Sequence, residues 1–327
     1  MQIRVLRGPE ITALMSMADC IDLMRTTMIA VSQGRALVPL RTIMPLPGGK
    51  GMMGSMPGYL AEPDCFGVKL LSLFPGNVAA GHSSHLGLVL LFEPVHGLPV
   101  ALMDAAEITA IRTAAASGLA TRLLAREDAG DLAILGVGEQ ARSHLEAMAL
   151  ARPLRRVRVW ARDPARARDF AETQGARHGL AIEARASVRE AVSGADIVCT
   201  VTGAAEPILL GQWIAPGAHL NVVGSSIPRN AEIDTDLVVK SRLFVDLRAS
   251  TVNEGGEYLR AIAANAITPE HILGEIGEVA SGAVAGRRSP QDITLYKSLG
   301  IAAQDLASAH FLLEKARAAG VGQTFEL

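Results

Sequence analysis

The sequence has few cysteines, few aromatic residues, and no long apolar or basic run. Aromatic residues make up 4% of the 327 residues, and the three cysteines are Cys20, Cys65 and Cys199. Because the cysteines are far apart and form no CxxC pair, the sequence predicts neither a disulfide framework nor a zinc site. This cysteine usage is typical of a reducing compartment, and we expect a cytoplasmic location.

Charge and hydropathy argue against two classes of partner, nucleic acids and membranes. The formal net charge is −2 at pH 7. Without a basic run, the sequence predicts no nucleic-acid partner and no anionic membrane surface. No stretch approaches the length of a membrane span or of a signal peptide's apolar core. The abundant residues are apolar (49% hydrophobic, 20% charged), which is typical of a globular protein with a large core, long enough for two domains. We expect a small-molecule ligand.

The most informative segment is the glycine turn in residues 132–141, Leu-Ala-Ile-Leu-Gly-Val-Gly-Glu-Gln-Ala. A short apolar run predicts a buried strand, and a helix-favouring segment follows the glycines at once. In such a turn Gly136 permits the bend, Gly138 lets a pyrophosphate approach the backbone, and Ala141 packs helix on strand. The helix N-terminus then favours an anion. The pattern predicts a dinucleotide site, with a purely structural turn as the alternative.

The surrounding pattern favours the dinucleotide site, because strands and helices alternate along this half of the chain. The predicted strands are residues 132–135, 157–160, 181–183, 196–201, 219–223 and 243–245. Such alternation predicts an α/β fold with a Rossmann-type doubly wound parallel sheet.

The first part of the chain has a different pattern. Residues 9–33 have helical periodicity, and Gly and Pro then separate four short predicted strands, residues 38–44, 51–56, 65–73 and 86–92. This predicts an α+β domain with a mostly antiparallel sheet. The alanine-rich helix over residues 105–126 leads to the glycine turn, and the helical stretch 299–319 returns to the first domain.

Three cations lie in apolar or glycine-rich surroundings. They are Arg41, Lys69 and Arg112. For each one alone, an edge strand with its charge in water is an equal alternative, because an unpaired charge is costly to bury. Together they suggest an anion pocket, in which arginines suit a carboxylate and the lysine acts as a point charge or a proton donor.

The end of the second predicted strand bears on the choice of cofactor. NAD enzymes place an acidic residue here for the ribose hydroxyls, whereas NADP enzymes tend to offer an arginine. Ala161 holds the usual acidic position, Arg162 suits a 2′-phosphate, and Asp163 one place later suits NAD. The pattern predicts NAD(P)H and slightly favours NADPH, with a solvated loop charge as the alternative for Arg162.

His82, His85 and His96 lie in or near one predicted loop. Their spacing in a loop is poor evidence for a metal, and no cluster of Asp, Glu or Cys accompanies them. We predict no metal site.

Several separated segments form a characteristic series. In chain order they are Gly67-Val68-Lys69, Phe74-Pro75-Gly76-Asn77, Ile108-Thr109-Ala110-Ile111-Arg112-Thr113-Ala114-Ala115, Gly136-Val137-Gly138-Glu139-Gln140-Ala141, Val223-Gly224-Ser225-Ser226, Ala231-Glu232-Ile233-Asp234 and Leu295-Tyr296-Lys297-Ser298-Leu299-Gly300. With these segments the chain resembles the ornithine cyclodeaminase and mu-crystallin family over nearly its whole length.

The resemblance implies a homodimer that uses a nicotinamide cofactor. It implies that residues 1–116 plus 300–327 form a substrate-binding and dimerisation domain, and that residues 117–299 form the Rossmann dinucleotide-binding domain. Members of the family include ornithine cyclodeaminase, alanine dehydrogenase, ketimine and imino-acid reductases, and the thyroid-hormone-binding mu-crystallin.

Residue by residue, the resemblance also implies roles in the site. Arg41, Lys69 and Arg112 are expected around the substrate carboxylate. The residues expected around the cofactor phosphates are Thr113, Gly136, Gly138, Glu139 and Gln140. Those expected at the ribose and nicotinamide side are Thr200, Val223, Gly224 and the segment from Ser298 to Gly300.

One position departs from the cyclodeaminase pattern. Ornithine cyclodeaminases place an aspartate, their proton acceptor, where this chain has Ser226, and mu-crystallin has a serine there as well. The resemblance therefore implies an oxidoreductase of amino-acid metabolism that reduces a small α-imino acid or ketimine, such as iminosuccinate or a cyclic ketimine, or runs the reverse dehydrogenation. Lys69 or a water held by Ser226 is the expected proton source, and a turn hydroxyl is the structural alternative for Ser226. Ornithine cyclodeamination and a mu-crystallin-like binding function are the alternative activities.

Overall fold

The computed structural model describes residues 2–81, 83 and 85–326. The strands are β1 Gln2–Leu6, β2 Ala36–Leu37, β3 Thr42–Pro45, β4 Met52–Ala61, β5 Asp64–Leu73, β6 His85–Phe92, β7 Pro99–Asp104, β8 Asp131–Leu135, β9 Arg156–Trp160, β10 Ile182–Ala184, β11 Ile197–Thr200, β12 His219–Val222, β13 Ser241–Val245, β14 Ile272–Glu275, β15 Ile293–Lys297 and β16 Gln323–Glu326. The α-helices are α1 Gly8–Leu14, α2 Met17–Ser32, α3 Ala105–Leu124, α4 Glu139–Ala151, α5 Pro164–His178, α6 Val188–Val192, α7 Thr235–Lys240, α8 Arg248–Glu254, α9 Gly256–Ala263, α10 Ile276–Ala280 and α11 Ala302–Ala319.

The chain divides into two compact units. The first consists of the residues up to Arg112 together with those from Ile301 onward, and the second is Thr113–Gly300. The predicted division of labour between a substrate domain and a cofactor domain stays a prediction.

The first unit is built on a mixed sheet. Its strand order is β16-β1-β7-β6-β5-β4-β2, and β3 pairs with β4. Only β1 and β7 pair in parallel, and the other pairs of this sheet are antiparallel. This agrees with the expected α+β pattern, although β1, β2, β7 and β16 were not among the predicted strands. The predicted helical stretch 9–33 is two helices, because Met15 is extended and Ser16 caps α2 by accepting a hydrogen bond from the Asp19 amide.

Helix α11 lies against this sheet, and two glycines permit its close approach. A Cβ atom at Gly67 would lie 2.9 Å from Leu306 Cδ2, and one at Gly58 would lie 3.0 Å from the Ala302 side chain. The first turns of α11 are therefore buried against β4 and β5, which places their polar side chains in the interior of the unit.

The second unit is a doubly wound parallel sheet. Its order is β10-β9-β8-β11-β12-β15-β13-β14, and every neighbouring pair is parallel. The predicted fold class is thereby confirmed. Strand β15 was not among the predicted strands, because Thr294 and Lys297 interrupt its apolar character, yet both side chains are buried and have polar partners. None of the helices in the described part of the chain has the length and apolar character that a membrane span requires.

Candidate active site

The first unit buries a lysine on β5. Side chains of a strand alternate between its faces, and in β5 Cys65, Gly67 and Lys69 share the buried face. Lys69 is only 3% exposed, and its Nζ lies 3.2 Å from Oδ1 of Asp305 on α11, which is fully buried. The structure therefore rejects the alternative of an edge-strand lysine whose charge is in water.

Arg112 shares the same carboxylate oxygen. Its Nε donates to Asp305 Oδ1 at 3.0 Å, and its Nη1 donates to Gln304 Oε1 at 2.7 Å. Arg112 is 4% exposed and lies on α3, so it is also buried. Asp305 Oδ2 accepts no hydrogen bond from the described residues. Two buried cations thus converge on one oxygen of one carboxylate, and we call Lys69, Arg112 and Asp305 the cation cluster.

The electrostatics of the cation cluster set the protonation of Lys69. Burial lowers the pKa of Lys69 to about 8, the Asp305 carboxylate opposes this shift, and the charges of Arg112 and Arg41 lower the pKa further. Arg41 is therefore close enough to act on the lysine. The three cations singled out in the sequence lie in one unit, and both arginines lower the pKa of Lys69. Their role in carboxylate binding stays a prediction.

The sequence analysis missed Asp305 and Gln304. Both are completely buried in the first turn of α11, among apolar neighbours such as Ala303 and Leu306. A polar pair inside an apolar helical stretch is the signal that could have found them, since a carboxylate is rarely buried without a cationic partner.

The second unit contains the predicted strand, glycine turn and helix. Strand β8 ends at Leu135, Gly136 follows with φ of 121°, and Gly138 is the N-cap of α4. A Cβ atom at Gly136 would lie 2.7 Å from the Val201 carbonyl oxygen, whereas one at Gly138 would meet nothing within 4 Å. Gly136 is therefore required by the fold itself, and Gly138 keeps an open approach to the helix N-terminus.

These features fit a dinucleotide phosphate. Gly138 has no side chain with which to cap α4, and Glu139 and Gln140 form the first turn of that helix. Thr113 Oγ1 and Ser298 Oγ are buried and have no hydrogen-bond partner among the described residues. Such hydroxyls are satisfied when a polar ligand is bound.

Arg162 and Asp163, two neighbouring residues after β9, bear on the choice of cofactor. Asp163 is the N-cap of α5, and its Oδ1 accepts from the Ala165 amide at 2.9 Å. Arg162 is exposed. The carboxylate that would suit the ribose hydroxyls of NAD is therefore engaged by the helix.

The carboxyl ends of β11 and β12 hold the residues predicted at the nicotinamide side. Thr200 is the last residue of β11, and its carbonyl accepts from the amides of Val223 and Gly224 at 3.0 and 3.1 Å. Gly300 has φ of 74°, and its amide donates to Asp246 Oδ2 at 2.7 Å. Ser226 is partly exposed. The structure thus brings Thr200, Val223 and Gly224 together, and their role toward a cofactor stays a prediction.

One of the histidines considered as metal ligands, His82, lies outside the described residues. Within the described ranges, no three His, Cys, Asp or Glu side chains are grouped so that they could hold a metal ion.

The chain is similar to known reductases along most of its length. The profile of the ornithine cyclodeaminase/mu-crystallin family matches residues 2–320. The ketimine reductase mu-crystallin of Mus musculus is 40% identical over 282 residues, which are 86% of each chain. A Delta(1)-pyrroline-2-carboxylate reductase of Bacillus cereus is 31% identical over 323 residues, or 98% of this chain and 99% of the relative.

Solved structures have the same fold. The Thermococcus litoralis Delta(1)-pyrroline-2-carboxylate reductase in complex with NADH and L-proline has a TM-score of 0.95 at 37% identity, covering 98% of this chain and 99% of that one. An archaeal alanine dehydrogenase dimer with bound NAD has a TM-score of 0.94 at 29% identity, with full coverage of both chains. The iminosuccinate reductase of Paracoccus denitrificans in complex with NAD⁺ has a TM-score of 0.91 at 27% identity, again with full coverage.

A nicotinamide dinucleotide is common to these three structures. The predicted reaction class, reduction of a C=N bond, is that of the ketimine, pyrroline-carboxylate and iminosuccinate reductases. The resemblance found in the sequence is confirmed, and the chain belongs to the ornithine cyclodeaminase/mu-crystallin family.

Proposed function

We propose that this protein is an NAD(P)H-dependent reductase that converts a small α-imino acid or cyclic ketimine to the amino acid. The observation that carries the proposal is the cation cluster, in which Lys69 and Arg112 share one oxygen of Asp305. Two buried cations with one carboxylate leave an excess positive charge, and buried charge is stable only when it is paired. The carboxylate of an α-imino acid supplies the missing negative charge.

Lys69 also has the protonation that imine reduction needs. With a pKa of about 8 it is mostly protonated at neutral pH, and it gives up the proton more readily than an exposed lysine. Protonation of the imine nitrogen makes the adjacent carbon a better hydride acceptor. When bound, the reduced nicotinamide supplies the hydride. Asp305 orients the lysine, and Arg112 holds the substrate carboxylate in place.

The substrate class follows from the chemistry that the relatives share. Pyrroline-2-carboxylate and iminosuccinate, named for two of these relatives, have a C=N carbon that carries a carboxylate, and the ketimine named for a third has the C=N carbon. The proposal therefore covers a cyclic ketimine carboxylate and an open-chain imino acid.

A substrate screen tests this proposal. The purified protein is mixed with cyclic ketimine carboxylates, or with 2-oxo acids and ammonia or methylamine, and the loss of NADH or NADPH absorbance is followed. We expect oxidation of the cofactor to depend on the carboxylate. Conversion of ornithine to proline and ammonia without net cofactor oxidation would instead establish cyclodeamination, and binding without turnover would establish a binding protein.

We infer NADPH as the preferred form of the cofactor. Arg162 is exposed at the end of β9, where a 2′-phosphate is expected, whereas Asp163 is engaged as the cap of α5. In Arg162→Ala we expect the KM for NADPH to rise about tenfold, because one charge-assisted contact with the 2′-phosphate is lost. The KM for NADH should change little. Equal effects on both cofactors would contradict the inference.

We also propose that the protein is a homodimer formed through the sheet of the first unit. Large apolar side chains are exposed on β3, β4 and β6 of this sheet, among them Met44 (51%), Met53 (40%), Leu86 (47%) and Leu88 (47%). Met44 pairs with Met53 across β3 and β4, so the exposed residues include direct cross-strand neighbours. Several large apolar side chains exposed on one sheet are typical of an interface. Light scattering should give twice the chain mass, and Leu88→Lys should shift the protein toward the monomer.

A cytoplasmic location is part of the proposal. Cys20, Cys65 and Cys199 are free and buried, and burial raises the pKa of each thiol to about 12. Free thiols persist in a reducing compartment. The location can be tested by fractionating the source cells and detecting the protein with an antibody.

A further inference from the structure

A buried carboxylate joins the ends of two neighbouring strands in the second unit. Glu232 is completely buried. Its Oε2 accepts from Thr200 Oγ1 and from the Gly224 amide, both at 2.7 Å, and its Oε1 accepts from the amide and the hydroxyl of Thr202, also at 2.7 Å. Thr200 ends β11, and Gly224 follows the end of β12. This is the edge at which doubly wound sheets bind their ligands.

A second carboxylate and a lysine continue the network. The amide of Glu232 donates to Glu257 Oε1 at 3.0 Å, and Lys297 Nζ lies 2.9 Å from Glu257 Oε2. Lys297 Nζ also donates to the carbonyl of Ser225 at 2.6 Å. We call Glu232, Glu257 and Lys297 the carboxylate cluster. It contacts the backbone on both sides of the Gly224–Ser225 peptide bond, immediately before Ser226.

The carboxylate cluster contains two carboxyl groups and one ammonium group. Two of the groups that donate hydrogen bonds to Glu232 are backbone amides. Because an amide N–H can only donate, this geometry fits the ionised carboxylate. Burial raises the pKa of Glu232, while Lys297 and the threonine hydroxyls oppose this shift. Glu257 forms an ion pair with Lys297 and also interacts with the charge of Arg260, whereas Glu232 has no ion-pair partner among the described residues and is held by hydrogen-bond donors.

Gly224 brings this charge close to the surface of the strand ends. A Cβ atom at Gly224 would lie 2.6 Å from Glu232 Oε1, and Gly224 itself is exposed although Glu232 is completely buried. A ligand packed on Gly224 therefore meets backbone whose amide points at an ionised carboxylate. The same Cβ atom would overlap the carbonyl oxygen of Thr202, so the absence of a side chain lets Gly224 pack against both Thr202 and Glu232.

We propose that Glu232 makes the cofactor site favour the oxidised, positively charged nicotinamide ring over the reduced, neutral ring. The inference rests on the proposed function and on the place at the nicotinamide side that the family resemblance implies for Thr200, Val223 and Gly224. Glu232 is a positioning residue, because it acts through the Gly224 backbone and through its field. As hydride leaves during imine reduction, positive charge grows where Glu232 stabilises it, so the interaction is stronger in the transition state than in the ground state.

Two substitutions at one position separate charge from geometry. Glu232→Gln removes the charge and turns a donor toward one of the amides, whereas Glu232→Asp keeps the charge with a shorter side chain. Affinity for the oxidised and reduced forms of the preferred cofactor is measured by calorimetric titration. In Glu232→Gln we expect the affinity for the oxidised form to fall at least about fivefold more than that for the reduced form, and in Glu232→Asp we expect similar losses for both.

A matched control is another well-bonded carboxylate of the same sheet. Asp196 immediately precedes β11, at the opposite end from Thr200, and accepts from the Gly130 and Asp131 amides and from Arg126. Asp196→Asn should lower the melting temperature without changing the ratio of the two affinities. If Glu232→Gln does not fold, Glu257→Gln removes one charge of the cluster without touching Gly224, and we expect the same direction of change.

The possible results are distinct. A selective loss of affinity for the oxidised form supports the inference, and equal losses for both forms in Glu232→Gln or Glu257→Gln overturn it while leaving the proposed reductase intact. If the unsubstituted protein binds neither NAD(H) nor NADP(H), the cofactor assignment of the proposed function is overturned, and the inference with it.

Discussion

The two units bury ion clusters of opposite sign. In the first unit, Lys69 and Arg112 share the single carboxylate of Asp305, so positive charge is in excess. In the second unit, Glu257 pairs with Lys297 and interacts with Arg260, whereas the charge of the Glu232 carboxylate has no ion-pair partner among the described residues. Each cluster lies in a well-packed interior, where an uncompensated charge is costly. Because such burial lowers stability, we infer that each cluster is kept for ligand binding. The sign of its charge then indicates the charge of the ligand.

The signs match the two ligands of the proposed reaction. The cation cluster suits a substrate carboxylate, and the carboxylate cluster suits a nicotinamide ring that becomes positive. Sites that stabilise charge only as it develops are effective in catalysis because their groups are already oriented. The comparison predicts that changes in the first cluster alter substrate turnover, whereas changes in the second alter the choice between cofactor forms.

The largest expected effect comes from removing the lysine of the cation cluster. In Lys69→Ala we expect kcat to fall about a thousandfold, because a positioned general acid is lost, while cofactor affinity stays within about twofold. Steady-state kinetics and cofactor titration measure the two effects. Lys69→Arg is the matched control, since it keeps the charge but does not release a proton at neutral pH, and it should retain more substrate affinity than activity. Unchanged turnover in Lys69→Ala would remove the lysine from the site.

The pH dependence tests how Asp305 acts on Lys69. The lysine donates its proton, so activity is present below its pKa of about 8 and is lost as the pH rises through that value. The Asp305 carboxylate raises this pKa, and in Asp305→Asn the basic limb of kcat/KM should therefore move down by at least about one pH unit. We expect a loss of at least about fivefold at pH 8 and almost none at pH 6. A basic limb that stays in place would mean that another group donates the proton.

A substitution in the glycine turn of the second unit tests cofactor binding and leaves both clusters intact. In Gly138→Val we expect cofactor affinity to fall at least about tenfold with little change in melting temperature, because the added side chain enters space that the fold leaves open. Gly136→Ala is the matched contrast. Its φ of 121° and the nearby Val201 carbonyl oxygen should cost about 1–3 kcal/mol of stability. Equal cofactor affinity in Gly138→Val would refute the phosphate-binding role of the turn.

Local patterns made one part of each unit predictable from the sequence. The strand, glycine turn and helix around Gly136 follow from ten consecutive residues. Lys69 stood out because it is a single charge among the apolar and glycine residues of a predicted strand. The family resemblance then supplied the order of the motifs and the fold.

The partners of these residues could not be predicted in the same way, because tertiary contacts decide them. Asp305 is 236 positions from Lys69 in the sequence. Glu232 lies in a motif that the resemblance includes, but nothing in the sequence indicates that its carboxylate reaches Thr200, 32 positions away. A buried polar residue looks like an exposed one until its partners are known, and this is also why β15 escaped prediction.

The smallest expected effect concerns Ser226, which follows the segment held by the carboxylate cluster. If Lys69 is the proton donor, Ser226 at most orients a water, and because Ser226 is partly exposed another water can replace its hydroxyl. In Ser226→Ala we therefore expect kcat to fall by less than about fivefold, with the basic limb of the pH profile still set by Lys69. A loss as large as that in Lys69→Ala would reverse the comparison. The second unit would then supply the proton as well as the charge that stabilises the ring, and the cation cluster would serve only to hold the substrate carboxylate.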